Sequence, residues 1–258
     1  MAVHTGQRLV MWHIGGPGEE DPSMPVQLPD TSAPLPAGSP DTMDEMWLLS
    51  GACILFTLGM FSSGLSDLKI MISKRSADNI QFLPFLTTDL NNLGWLYYGY
   101  LKEDGTLMAV NTIGASLQTL YIAAYLVYAG DKRYQLYQVL LALGVLVLGY
   151  SYFYLWIPEV SARLTQLGLF CSVFTISMYL SPLADLAQII RTKSTKCLSF
   201  PLTITTFLAS TSWVLYGLQQ SDPYITVPNL PGIVTSILRI CLFWSYRQEQ
   251  NPYRSLLA

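Results

Sequence analysis

Seven stretches of roughly 20 apolar residues, separated by short polar connections, leave this chain few ways to fold. The spacing predicts helices over 47–69, 81–101, 106–128, 136–157, 167–190, 200–220 and 225–247. Each is close to the ~20 residues a helix needs to cross the hydrocarbon of a bilayer. No water is available there for backbone N–H and C=O groups, so a spanning segment must satisfy them within its own helix. One such run could be a buried helix of a soluble protein, but seven in succession could not. Connections such as Lys102-Glu103-Asp104-Gly105 and Ser221-Asp222-Pro223 leave no room for an inserted soluble domain. Only 12% of the residues are charged, about half the share usual in soluble domains. The net charge of −3, with basic residues placed singly or in pairs, offers no footprint for a nucleic-acid partner.

The flanks differ from this core. Residues 1–43 hold Pro17, Pro22, Pro25, Pro29, Pro34, Pro36 and Pro40 among Gly, Ser and acids. Such a segment buries too little apolar surface to offset its ordering entropy, and is read as disordered. It has no unbroken apolar core of a signal peptide, and Met43 stands as a plausible shorter start. Residues 248–258 form a short tail. The connections after the odd-numbered helices carry Lys69, Lys74, Arg75, Lys132, Arg133, Arg191, Lys193 and Lys196, while the other side carries only Arg8, Lys102 and Arg163. Lys/Arg bias in short loops marks the cytosolic side, which puts the N-terminus outside or in a lumen and the C-terminus in the cytosol. Cys53, Cys171 and Cys241 read as small hydrophobes within apolar runs. With His4 and His13 the only histidines, no metal or cofactor set is expected.

The chain also repeats itself. Shifted by 118 residues, 49–122 matches 167–240 without gaps at about 23 of 74 positions. The pairs of rarer types decide the matter: Cys53 with Cys171, Asp67 with Asp185, Trp95 with Trp213, Tyr98 with Tyr216, Asp104 with Asp222, Asn111 with Asn229, and Gly114 with Gly232. This is a duplication. Each copy (47–128 and 167–247) holds three helices, so a direct tandem copy would enter the membrane inverted. The unmatched helix 136–157 supplies the missing crossing and returns both copies to one orientation. The fold class is therefore an all-α membrane protein of seven transmembrane helices in a 3+1+3 order. Parallel repeats about an axis along the membrane normal are a transporter design, with substrate held near the midplane.

Matched polar residues inside the helices point to that site. A carboxamide in hydrocarbon is costly unless paired. One Asn would most simply make an interhelical hydrogen bond, but Asn111 and Asn229 can face each other across a pseudo-two-fold axis. Trp95 and Trp213 form a second pair, whose flat faces suit the C–H faces of a sugar ring. Amides with indoles, and no charge among them, suggest a neutral polyhydroxylated ligand. Gly64, Pro84, Pro182 and Pro201 weaken helix ladders on the basic side and are expected as hinges. Asp67 and Asp185, at the inner helix ends, are expected to pair locally with Arg75 and Lys193 as part of an inner gate. Asp89 has Phe207 as its repeat mate and is expected to be satisfied by Thr87, Thr88, Asn91 or Asn92. No nucleophile with a base and no phosphate loop is visible, so nothing supports an enzyme.

The repeats reading Thr57-Leu-Gly-Met-Phe…Asp67-Leu…Phe82-Leu-Pro84-Phe and Thr175-Ile-Ser-Met-Tyr-Leu-Ser-Pro182-Leu-Ala-Asp185-Leu resemble the SWEET sugar transporters, and the run Gln81-Phe-Leu-Pro-Phe-Leu-Thr-Thr resembles their animal branch. The resemblance covers about residues 45–250. It implies a facilitative uniporter of mono- or disaccharides working by alternating access. It also implies sugar contacts at Asn111, Asn229, Trp95 and Trp213, with Met60 and Met178 facing the pocket. The family's hinge prolines fall on Pro84, Pro182, Pro201 and Gly64, the glycine departing from the commoner pattern, and its outer gate lies near Tyr98 and Tyr216. Homo-oligomers in plasma or Golgi membranes are implied as well. The competing readings are a proton-coupled solute transporter using Asp89, a seven-helix receptor, which would carry no such duplication, and a non-transporting adaptor.

Overall fold

The computed structural model describes residues 40–193 and 199–247, and every regular element among them is helical. The first crossing is made by α1 (Pro40–Phe61) and α2 (Gly64–Lys74), the second by α3 (Leu83–Lys102) and the third by α4 (Gly105–Tyr128). The unmatched crossing is α5 (Arg133–Ser151), which continues as a π-helical turn over Tyr152–Trp156. Then come α6 (Val160–Met178) with α7 (Leu180–Thr192), α8 (Phe200–Gln219) and α9 (Pro223–Arg247). The all-helical fold and the 3+1+3 order are as expected. Of residues 1–43, only 40–43 fall within the described part, and they open α1 rather than belonging to the segment before it. Cys197 and the tail 248–258 lie outside the described residues.

Length and hydropathy alone make five stretches membrane-spanning: Asp44–Lys74, Gly105–Tyr128, Arg133–Trp156, Val160–Thr192 and Pro223–Tyr246. The 20-residue helices α3 and α8 fall short because they carry many Thr, Ser and Asn. Those groups turn inward: Asn92, Thr203, Ser210 and Ser212 are buried. Polar side chains are tolerated in spanning helices when they face protein or a water-filled cavity, so these two helices line the interior. By contrast α5 exposes Leu140, Leu141, Val147 and Leu148, as lipid contact requires.

Two expectations about the helices need correction. The first and fifth crossings are not continuous. The first breaks at Ser62-Ser63, where Ser63 N–H bonds Met60 O (3.2 Å) and Leu65 N–H bonds Ser62 O (3.0 Å) in short three-residue turns. The fifth breaks at Tyr179, the repeat mate of Phe61, between α6 and α7. Pro84 and Pro201 do not kink their helices either. They sit in the first turns of α3 and α8, where a proline's missing N–H would have had no partner anyway. The internal prolines are instead Pro228 and Pro231 of α9. Pro228 cannot bond the carbonyl of Tyr224, and the Ser172 hydroxyl of α6 takes that place (2.9 Å).

The turns repeat as the helices do. Arg75 and Lys193, repeat mates, both end their helices in the left-handed region (φ 49° and 51°), and the repeat mates Glu103 and Ser221, in the connections after α3 and α8, are left-handed too (58° and 52°). Within the first copy α4 packs between α1 and α3, and within the second α9 packs between α6 and α8. Across copies α1 meets α8 and α3 meets α6. The six helices therefore close a ring in the order α1, α4, α3, α6, α9, α8, with α5 outside against α3. Matched glycines let the inner helices approach. A Cβ at Gly114 would meet the Asn92 amide (2.6 Å) and Phe61, and one at Gly232 would meet Ser210 and Tyr179, the repeat mates of those two residues.

Candidate functional site

The ring is tied shut at the end opposite Lys69, Lys74 and Arg75. Asp104 opens α4 by accepting from Leu107 N–H (3.0 Å), and Asp222 opens α9 by accepting from Tyr224 N–H (2.9 Å) and Ile225 N–H (3.2 Å). Each cap also reaches the other copy. The Tyr98 hydroxyl donates to Asp222 (2.8 Å) and the Tyr216 hydroxyl to Asp104 (2.8 Å). All four residues are buried. The closure is not symmetric. Lys102 adds an ion pair to Asp222 (2.6 Å), whereas its mate Gln220 donates only to the Tyr216 hydroxyl (3.2 Å). Oδ2 of Asp104 is buried with no partner. The sequence pairs Tyr98/Tyr216 and Asp104/Asp222 were both legible, but not that the two pairs bond one another across the copies.

Below this cap lies a second crossed layer. Trp95 Nε1 donates to the Thr175 hydroxyl (2.9 Å), and Trp213 Nε1 to the Thr57 hydroxyl (2.9 Å). The indoles are thus oriented by threonines of the opposite copy, a matched pair that sequence reading passed over. Asn111 and Asn229 each donate Nδ2 to the carbonyl four residues back on their own helix, Leu107 and Ile225 (2.8 Å each). That bond fixes the amide plane and leaves the carbonyl oxygen for a ligand hydroxyl.

The cavity these residues face has a volume of about 490 Å³, within the roughly 300–1,000 Å³ usual for small-molecule sites. Its wall includes Asn111, Asn229, Trp95, Trp213, Met60 and Met178, so the sequence-predicted contact residues converge on one space. From there the wall runs toward the basic end, to Gly64, Asp67, Pro84 and Arg239. The capping tyrosines and aspartates are not part of it. The cavity is closed at one end and extends to the other.

At the basic end three expectations change. Asp185 does not pair with Lys193; it takes Arg239 of α9 (3.2 Å). Asp67 lines the cavity and has no ion pair among the described residues. Asp89 accepts on Oδ2 from the Thr119 hydroxyl of α4 (3.1 Å) rather than from its helix neighbours, its Oδ1 is buried without a partner, and it is not part of the cavity wall. Gly64 has a packing role that a hinge reading misses. The ring of fully buried Tyr121 occupies the space a Cβ would need there, and its hydroxyl bonds the Phe61 carbonyl at the helix break (3.3 Å). Arg239 is the repeat mate of Tyr121, so one copy braces its break with an aromatic ring where the other places an ion pair. Among the described residues no group of three His, Cys, Asp or Glu is placed to hold a metal ion.

Comparison with known proteins agrees with the repeat and the fold. A family model described as "Sugar efflux transporter for intercellular exchange" matches twice, at residues 47–133 and 165–251, again at an offset of 118. The frog (Xenopus tropicalis) protein named Sugar transporter SWEET1 is 73% identical over 214 residues, 83% of this chain and 100% of that one. The human protein of the same name is 67% identical over 204 residues, 79% of this chain and 92% of its own. A solved eukaryotic SWEET transporter superposes with a TM-score of 0.73 at 29% identity, covering 80% of this chain and 99% of that one.

Proposed function

This chain belongs to the SWEET family of sugar efflux transporters, and from that premise we propose that it carries mono- or disaccharides down their gradient as a uniporter working by alternating access. The observation that carries the reading is a cavity on the pseudo-two-fold axis, walled by paired amides and indoles and tied shut at one end by crossed Tyr–Asp bonds. Sugar hydroxyls meet the oxygens of Asn111 and Asn229. Ring C–H faces lie against Trp95 and Trp213, and Met60 and Met178 bound the space available. Downhill transport then needs only that the cap open while the basic end closes. Gly64 and Pro182, next to the breaks in the first and fifth crossings, serve as the points of bending, and Pro84 and Pro201 end the rigid parts of α3 and α8. Asp67 and Asp185, with Arg239, form the gate at the basic end.

The Lys/Arg bias of the connections supports a cytosolic basic end and an outer or lumenal cap, so the state described is open toward the cytosol. We assign the protein to plasma or Golgi membranes, as a homo-oligomer in which each chain has its own cavity. Tracer uptake into proteoliposomes tests the mechanism. Downhill flux with no dependence on an imposed pH gradient is the expected result. Accumulation driven by protons would replace uniport with a coupled carrier, and no flux would favour a receptor or adaptor.

A further inference from the structure

The two walls of the cavity are not equivalent. Where the first copy presents Asn91, Asn92 and Gln118, the second presents Ala209, Ser210 and Ser236 at the matched places, and all but Ala209 carry polar groups. Asn92 and Gln118 belong to the cavity wall while being only 2% and 6% exposed. Asn91 spends its carbonyl on the Thr175 hydroxyl (2.7 Å). The amides of Asn92 and Gln118 make no such bond: Nδ2 of Asn92 and Oε1 of Gln118 are both buried without a partner.

We infer that Asn92 and Gln118 form a second sugar-binding layer, carried by the first copy alone, that takes a ligand hydroxyl between the Asn111–Asn229 layer and the basic end. The inference rests on the sugar-transport reading and deepens it. At 1.5 Å per helical residue, Asn92 lies about 4.5 Å below Trp95 along α3, and Gln118 about 10 Å below Asn111 along α4. Both groups border one seam: the Asn92 amide covers Gly114, and Gln118 follows Gly114 by one turn on the same face of α4. One orphan atom is a donor and the other an acceptor. A hydroxyl both accepts and donates, so it can satisfy the two together, whereas a simple anion or cation can satisfy only one of them.

The second copy separates this role from packing. There Ser210 lies against Gly232 as Asn92 lies against Gly114, and buried Ser236 stands in the place of Gln118. The helix contact is made without either carboxamide. What the carboxamides add is reach and unspent hydrogen-bonding capacity in the cavity wall, on one side only, so the ligand is held asymmetrically in a pseudo-symmetric frame.

The test uses variants the fold already accommodates at the matched positions: Asn92→Ser, Gln118→Ser and the pair, each in the full chain. Binding of glucose, galactose and sucrose is titrated by tryptophan fluorescence, uptake kinetics are measured in proteoliposomes, and the melting temperature is followed in parallel. For the sugar bound best by wild type, each single change raises Kd and KM by up to about tenfold and the pair by more, because one lost hydrogen bond of this kind has that reach. The maximal rate is retained, and the melting temperature is unchanged or raised because an orphan amide has left the interior. Unchanged Kd with a lowered melting temperature overturns the inference and makes the amides packing groups. If wild type binds sugar and the pair binds it equally well, the inference fails while the transport reading stands. If wild type binds none of the three sugars, both fail.

Discussion

Removing the phenol hydroxyls from the cap should loosen it unequally, and the structure says which loss is larger. In Tyr98→Phe the Asp222 carboxylate keeps Lys102 and the N–H groups of Tyr224 and Ile225. In Tyr216→Phe the Asp104 carboxylate keeps only Leu107 N–H, and its other oxygen already lacks a partner. A hydrogen bond to a charged group is worth about 1.5–3 kcal/mol when little else satisfies it, and about 1 kcal/mol when other donors remain. These bonds exist only while the cap is closed, so their loss appears as a population shift toward the cap-open state. At 1.4 kcal/mol per decade, Tyr216→Phe should increase that population roughly 10- to 100-fold and Tyr98→Phe about fivefold. A reporter follows from the cavity wall. Val110 lies six residues along α4 from Asp104 and is almost fully buried, and Val110→Cys is nearly isosteric. In a background with Cys53, Cys171, Cys197 and Cys241 replaced by Ala, its reaction rate with an impermeant maleimide applied from the cap side reads the open population. The expected order is Tyr216→Phe above Tyr98→Phe above the parent. Equal rates for the two variants, or the reverse order, would refute the asymmetry argued from Lys102 and the orphan oxygen of Asp104.

Three further outcomes are expected. Gly64→Ala drives a Cβ into the Tyr121 ring and should destabilise the protein by about 1–3 kcal/mol, seen as a lowered melting temperature, whereas Gly51→Ala meets nothing within 4 Å and should not. Asp89→Asn keeps an oxygen for the Thr119 hydroxyl outside the cavity wall, so downhill flux and its pH profile should match wild type; a flattened pH profile would make Asp89 a relay. A chain starting at Met43 loses the Pro-rich segment and only the first residues of α1, and should insert and transport as the full chain does, as assayed by surface labelling and tracer uptake.

The architecture was legible because its signals are long and redundant. Seven apolar runs, the loop charge bias and the offset of 118 each constrain the same 3+1+3 order. Chemistry inside the copies was legible where both copies keep it, as with Asn111/Asn229 and Trp95/Trp213. What could not be read was which copy a side chain answers to. Nothing local to Thr57 or Asp222 announces that their partners are Trp213 and Tyr98 of the opposite copy, because ring closure through α1–α8 and α3–α6 is a long-range event. Helix continuity was misjudged for a similar reason. Gly64 and Pro182 were seen as weak points, but the breaks fall at Ser62-Ser63 and Tyr179, where Tyr121 braces one of them through a hydrogen bond to Phe61. Pro84 and Pro201 misled because a proline one turn inside a helix and a proline in its first turn look alike when the boundary is uncertain by a few residues. Residues without a like mate, such as Arg239 and Gln118, carry no signal in the repeat, and Asn92 read only as a neighbour of Asp89.

The central claim is that one cavity on the axis, walled by Asn111 and Asn229, carries sugar downhill. It is tested most directly by tracer sugar flux through proteoliposomes holding wild type or the Asn111→Ala, Asn229→Ala double variant, at equal protein and with no ion gradient. Each Ala removes one or two hydrogen bonds to the ligand of about 0.5–1.5 kcal/mol net, so flux at low sugar concentration should collapse in the double variant while its yield and helical content stay near wild type. A folded double variant that transports as wild type does would contradict the account.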